Sequence, residues 1–172
     1  KEAPMTRAPT GDAPEAIPIL HRETVQPDWI DYNGHMNLAY YVLVFDHATD
    51  ALQDTVGLDA AYRAKTGGSI FVVEAHLTYD NEVTLGEEMR VRTRVLGVDG
   101  KRLHLFHEMF AGDDDRLAAT NELMILHVDL ASRRTAPFPP PVLAHLERLK
   151  AAHGTLPEPS QAGRRIVMKK KV

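Results

Sequence analysis

The 172-residue chain predicts an α+β domain in which a curved antiparallel sheet of about five strands wraps one long central helix. Three observations lead there. Residues 38–56 carry a helical apolar pattern, and 38–45 contain no charged side chain. Residues 69–130 read as strand-length runs separated by turn signals too short for crossover helices, so neighbouring strands must pair as hairpins. A sheet of that kind has to bury one face, and 38–56 is the only segment apolar enough to fill it.

Taken in order, "IPILHRETV" (17–25) reads as a strand ended by Pro27. Leu38, Val42, Phe45, Leu52 and Val56 recur at helical spacing, as do Tyr41, Val44 and Ala48. Asp46, His47, Asp50, Gln53 and Asp54 mark the remaining face in the later turns, while the first two turns are apolar all round and should be enclosed on every side. Gly57 is a stop signal, and Asp59 to Lys65 adds a short helix before Gly67-Gly68. Ser69 to Tyr79 is a long strand. In "EEMRVRTRVLGV" (87–98), Met89, Val91, Thr93 and Val95 alternate with Arg90, Arg92 and Arg94. Asp99-Gly100 is a hairpin turn into "RLHLFHEMF" (102–110). The acidic turn Gly112 to Asp115 then leads to a last long strand, 116–130. Pro137 to Pro141 break the chain before a closing helix, Val142 to His153. The arrangement is the hotdog architecture. The ordered domain is expected over 17–153, between flexible segments 1–16 and 154–172.

Composition removes several function classes. The net charge of −4 offers no global attraction for nucleic acid. Without cysteine there is no disulfide, no thiolate catalysis and no cysteine-bound zinc. No run approaches about 18 apolar residues, so no helical membrane span is expected. The first residues lack the charged-then-apolar order of a signal peptide, so the expected location is cytoplasmic. No metal is expected either: His104 and His107 lie three apart in a strand and face opposite sides, and no HExxH spacing occurs. Glycine spacing fits neither a P-loop nor a dinucleotide fold.

The chemistry concentrates in "DYNGHMN" (31–37), set directly against the apolar "LAYYVLVF". A helix start carries unpaired N–H groups and the positive end of the helix dipole, which makes it a ready site for an anion. If that anion is the oxygen formed when a thioester carbonyl is attacked, the amides of Gly34 and Met36 would hold it. Asp31 is then the candidate nucleophile or general base, and Asn33 orients water or donates to the oxyanion. His35 either serves as base or fixes Asp31. The plain alternative is a turn and N-cap with no catalysis. Glu74, which interrupts "SIFVVEAHL", faces either solvent or an acyl pocket. One of Asn121 and Glu122 should point at the helix and need a partner there. Arg133 and Arg134 follow the last strand and are either simply solvated or, if the substrate is a coenzyme A ester, contacts for its phosphates.

"DYNGHMNLAYY" resembles the Asp-x-Asn-x-His-x-Asn, then Tyr, pattern of hotdog thioesterases of the 4-hydroxybenzoyl-CoA and acyl-ACP groups, and "ILHVDLASRRTAPFP" (125–139) resembles their closing strand. The resemblance covers about 17–153. It implies hydrolysis of acyl thioesters of coenzyme A or acyl carrier protein, with no cofactor beyond the coenzyme A of the substrate. It also implies homodimers or dimers of dimers joined edge to edge, with the acyl group near the subunit boundary. Asp31 matches the acidic position of the family, and Asn33 and His35 its amide and imidazole; Leu38 departs from a second Asn. A narrower resemblance, to the betainyl-CoA thioesterases of bacterial carnitine breakdown, implies a small quaternary-ammonium acyl group. Such a cation favours aromatic walls. Trp29, Tyr32, Tyr40 and Tyr41, with Asn37 and Glu74, are the lining expected on that basis. The alternatives are a hydratase or dehydratase on the same fold and a non-catalytic acyl-CoA-binding protein.

Overall fold

The computed structural model describes residues 19–168. Helix α1 spans Leu38–Val56, as its apolar periodicity predicts. It begins where the Asn37 side chain accepts the Ala39 N–H and ends where Gly57 turns left-handed at φ 89°. Around it runs one antiparallel sheet. Its strands are β1 (Ile19–Thr24), β2 (Gly68–Tyr79), β3 (Glu88–Val98), β4 (Arg102–Ala111) and β5 (Arg116–Asp129), in the order β1-β3-β4-β5-β2. A two-residue strand the sequence did not suggest, β6 (Arg134–Thr135), pairs with β5. Short α2 (Ala60–Thr66) leads into β2, and α3 (Pro140–His153) lies against β3, where the His153 imidazole accepts the Val95 N–H. The architecture is the hotdog arrangement expected.

Two apolar clusters fill the space between sheet and helix. One gathers Tyr41, Val44, Phe45 and Ala48 of α1 with Met36, Val83, Met89 and Met109. The other joins Leu52 and Val56 to Val95, Leu105, Ile125 and Leu146. Between them lies a buried polar link: His107 Nε2 sits 3.1 Å from Thr49 Oγ1, and Nδ1 sits 3.0 Å from Thr93 Oγ1. Thr49 donates its own proton to the Phe45 carbonyl, so Nε2 carries the hydrogen and Nδ1 accepts from Thr93. The neutral ring is thereby satisfied on both sides.

Three expectations change. The first turns of α1 are not enclosed within one chain: Leu38 is 63% and Val42 43% exposed, because a single sheet covers one side of the helix. Counting in twos from Ile70 puts Glu74 on the face of α1. A β-bulge between Val72 and Glu74 reverses that phase, and Glu74 pairs with Met124 on the outer face. Nor do residues 157–163 run free of the domain. The Pro157 carbonyl accepts from Arg94, Gln161 donates to Asp80, and the Gly163 N–H donates to Glu122, so this segment straps the outer face. The segment 1–16 lies outside the described residues.

Burial holds the His107 imidazole at a pKa of about 3 against an ordinary 6.5. Above the ordinary value the ring is neutral whether folded or not. Between the two values only the unfolded chain takes the proton, so stability falls as pH falls, by up to about 1.4 kcal/mol per pH unit. Urea unfolding at pH 7 and at pH 5 should show this dependence, and His107→Leu should lose one proton's share of it.

Candidate active site at the start of the central helix

An isolated bridge between Ile30 and Met36 closes a tight loop ahead of α1. Inside it the Asp31 N–H donates to the His35 carbonyl at 3.1 Å, and the Gly34 N–H donates to the Asp31 carbonyl at 3.0 Å. Gly34 has φ 84°, a conformation that disfavours a side chain. The Asp31 carboxylate accepts the Asn33 N–H at 2.8 Å through Oδ1 and the Asn37 amide at 3.3 Å through Oδ2. Asn37 is also the cap of α1. One amide side chain therefore holds the acid with its nitrogen and starts the helix with its oxygen.

The amides expected to hold an oxyanion are engaged elsewhere. Met36 donates to the Val83 carbonyl at 2.8 Å, and the Gly34 N–H is spent within the turn. This corrects the assignment of Gly34 and Met36. The N–H groups of His35 and Leu38 have no partner among the described residues, and Leu38 is the first residue of α1. They are the open donors at the electropositive helix start. His35 Nδ1 lies 3.2 Å from the Met36 carbonyl, which only accepts, so Nδ1 carries the proton and Nε2 is the basic nitrogen. The ring of His35 does not bond Asp31; its carbonyl fixes the Asp31 backbone instead.

Beside these donors is a cavity of about 210 Å³ lined by His35, Met36, Leu38, Tyr41, Tyr79 and the segment Asp80–Glu82. The Tyr41 and Tyr79 rings meet edge to face, with centroids 5.2 Å apart. The Tyr41 hydroxyl accepts the Val83 N–H, and the Tyr79 hydroxyl reaches the Leu38 carbonyl at 3.4 Å. Burial raises both phenol pKa values, so both rings stay neutral at physiological pH.

Asp31 and Asn37 sit in the loop beside this cavity rather than in its lining, and other expected residues fall farther outside it. Trp29 is buried and stacks on Tyr40 at 5.2 Å, forming a pillar behind the loop. Tyr32 is 96% exposed and Asn33 is exposed, because the turn at Gly34 aims both outward. Glu74 lines an outer-face cleft with His76, His104 and Glu122. Arg133 lies over Phe71 of β2, and Arg134 sits in β6. Phe71 is eight residues before Tyr79, which places Arg133 roughly 25 Å from the helix mouth along the strand. Asn121 is the inward member of its pair, and its Oδ1 has no partner among the described residues. Tyr79, Asp80 and Glu82 were not foreseen. The one sequence signal was a tyrosine closing a strand ahead of an acidic "DNE".

Residues 25–146 match the family model of the thioesterase-like superfamily. The chain is 46% identical over 142 residues to a betainyl-CoA thioesterase of Pseudomonas aeruginosa, covering 83% of this chain and 89% of that protein. It is 44% identical over 149 residues to an L-carnitine dehydrogenase/betainyl-CoA thioesterase of Agrobacterium fabrum, covering 86% of this chain but 30% of that longer one. Among solved structures it is similar to a Staphylococcus aureus protein in complex with CoA. That match has a TM-score of 0.81 and 31% identity, covering 87% of this chain and 94% of the other.

The two jobs of Asn37 separate by substitution. Asn37→Ala should cost about 1 kcal/mol in urea unfolding through the lost cap. Asn37→Ser keeps a capping oxygen but releases the Asp31 carboxylate, so stability should hold while thioester turnover drops.

Proposed function

The chain belongs to the thioesterase-like superfamily, and on that premise we propose that it hydrolyses betainyl-CoA in the cytoplasm, within carnitine degradation. The observation that carries this reading is the shared wall of the cavity. In a betainyl thioester one methylene separates the trimethylammonium nitrogen from the carbonyl carbon. Whatever holds the cation must therefore adjoin whatever holds the carbonyl oxygen. His35 and Leu38 line the same cavity as Tyr41 and Tyr79, with the acids Asp80 and Glu82 beside them. Aromatic faces attract such a cation by roughly 0.5–2 kcal/mol each, and the carboxylates add long-range attraction.

In this scheme the carbonyl oxygen accepts from the Leu38 and His35 amides. Asp31, held by Asn37, takes a proton from water as the hydroxide adds to the carbonyl carbon. The tetrahedral oxyanion collapses, the C–S bond breaks, and the coenzyme A thiolate recovers the proton from Asp31. Direct attack by the carboxylate, giving an anhydride that water then opens, uses the same contacts. His35 Nε2 is positioned to assist either route as a second base.

The free edge of the sheet supports a reading of the chain as a homodimer. β2 ends the strand order and exposes Val72 and Val73, while α1 exposes Leu38, Val42 and Leu43. An exposed apolar edge of this length invites a second strand. Antiparallel pairing with β2 of a second copy gives a homodimer, on which a dimer of dimers can build. It also brings the start of one β2 alongside the end of the other, so the coenzyme A phosphates at one mouth would meet Arg133 and Arg134 of the second copy.

Thiol release should be faster from betainyl-CoA than from acetyl-CoA or a long-chain acyl-CoA. Equal rates on all three would remove the betainyl assignment, and tight binding without thiol release would favour a sensor. Conversion of the acyl chain with the thioester intact would favour a hydratase. Asp31→Asn should lower kcat by roughly 10²–10⁴-fold with the circular dichroism unchanged. Tyr79→Leu should lower kcat/KM for betainyl-CoA by roughly 2- to 30-fold, one cation–ring contact, and leave acetyl-CoA turnover nearly unaltered.

A further inference from the structure

On the sheet edge opposite β2, three side chains converge that the thioester chemistry does not use. His21 and Glu23 stand two residues apart on β1 and therefore share one face, while Arg22 between them turns away to pair with Glu88 at 2.8 Å. His47 reaches them from α1, which packs against β1. Glu23 Oε2 lies 2.9 Å from His21 Nε2 and 2.8 Å from His47 Nδ1. The three donor atoms all lie within 4.8 Å of one another. No lysine or arginine among the described residues pairs with Glu23, so two imidazoles are its whole complement. Burial alone would raise the Glu23 carboxyl, but the two imidazole contacts outweigh it and hold the group below its ordinary value, ready as an anion.

We propose that His21, Glu23 and His47 form a site for a divalent transition-metal ion, zinc above all, that clasps edge strand β1 to the central helix. Two imidazole nitrogens and one carboxylate oxygen are a donor set zinc takes with a water in the fourth position. Donor atoms around a tetrahedral zinc lie about 3.3 Å apart, so the two Glu23–imidazole pairs need to open by roughly 0.5 Å. The two ring nitrogens already lie within 4.8 Å of each other. Side chains with a fifth to a third of their surface exposed have room for that, and solvent has a path for the ion and its water. Each ring now gives its Glu23-facing N–H to the carboxylate. Ligation needs only that proton on the other ring nitrogen, His21 Nδ1 and His47 Nε2, neither of which is hydrogen-bonded among the described residues. His47 is nine residues after Leu38, roughly 13 Å along the helix. The ion therefore sits apart from the thioester and takes no part in its hydrolysis.

The test is metal binding to the tag-free, metal-stripped full chain, with zinc followed by calorimetry and cobalt by its visible absorption. One saturable site per chain is expected, with a cobalt spectrum of nitrogen and oxygen ligands and a raised thermal midpoint on adding zinc. Glu23→Gln and His47→Asn should each weaken binding by roughly tenfold or more. His104→Asn, on the outer face beside Glu122, should leave it unchanged. No saturable binding below millimolar zinc would overturn the proposal. So would binding that Glu23→Gln, His47→Asn and His21→Asn leave intact while each variant keeps its circular dichroism.

Discussion

The proposed active arrangement depends on the double engagement of Asn37. Its oxygen caps the Ala39 N–H and its nitrogen donates to Asp31. Because the same side chain fixes where the helix begins and where the acid points, the carboxylate and the open Leu38 amide keep one relative position. The Asn37 N–H, given to the Trp29 carbonyl, ties this unit to the loop behind it. Loss of that side chain would loosen the cap and the acid together.

Val83 locks the second wall. Its carbonyl takes the Met36 N–H and its N–H goes to the Tyr41 hydroxyl. The segment that follows β2 is thereby pinned to the start of α1 through both backbone polar groups of one residue. The Asp80 and Asn81 amides, both given to the Ala118 carbonyl, brace the same segment from β5. These hydrogen bonds fix the wall of the cavity formed by residues 80–82. On its other side the cavity borders Leu38, the exposed first residue of α1.

Much of this was legible in the sequence because it is local. The limits of α1 follow from Asn37, Gly57 and a strict apolar spacing, and the position of Asp31 follows from its distance to that cap. What stayed hidden depends on events away from the residue concerned. A single bulged residue at Val73 sends Glu74 to the outer face, and alternation alone cannot register it. The outward aim of Tyr32 comes from the turn at Gly34. Tyr79 lies 41 residues from Leu38, and only the wrapped sheet brings them together. The strap after α3 has no periodicity to read, since it is held by isolated hydrogen bonds, one donated by Arg94 and two accepted by Asp80 and Glu122.

The most direct measurement is a crystal structure with a betainyl-CoA analogue in which a methylene replaces the sulfur, so that the bond cannot be hydrolysed. The carbonyl oxygen should lie within hydrogen-bond distance of the Leu38 N–H, with Asp31 facing the carbonyl carbon and the trimethylammonium group against Tyr41 and Tyr79. An acyl group bound on the outer face, or a carbonyl turned away from the helix start with Asp31 in bulk solvent, would contradict the account.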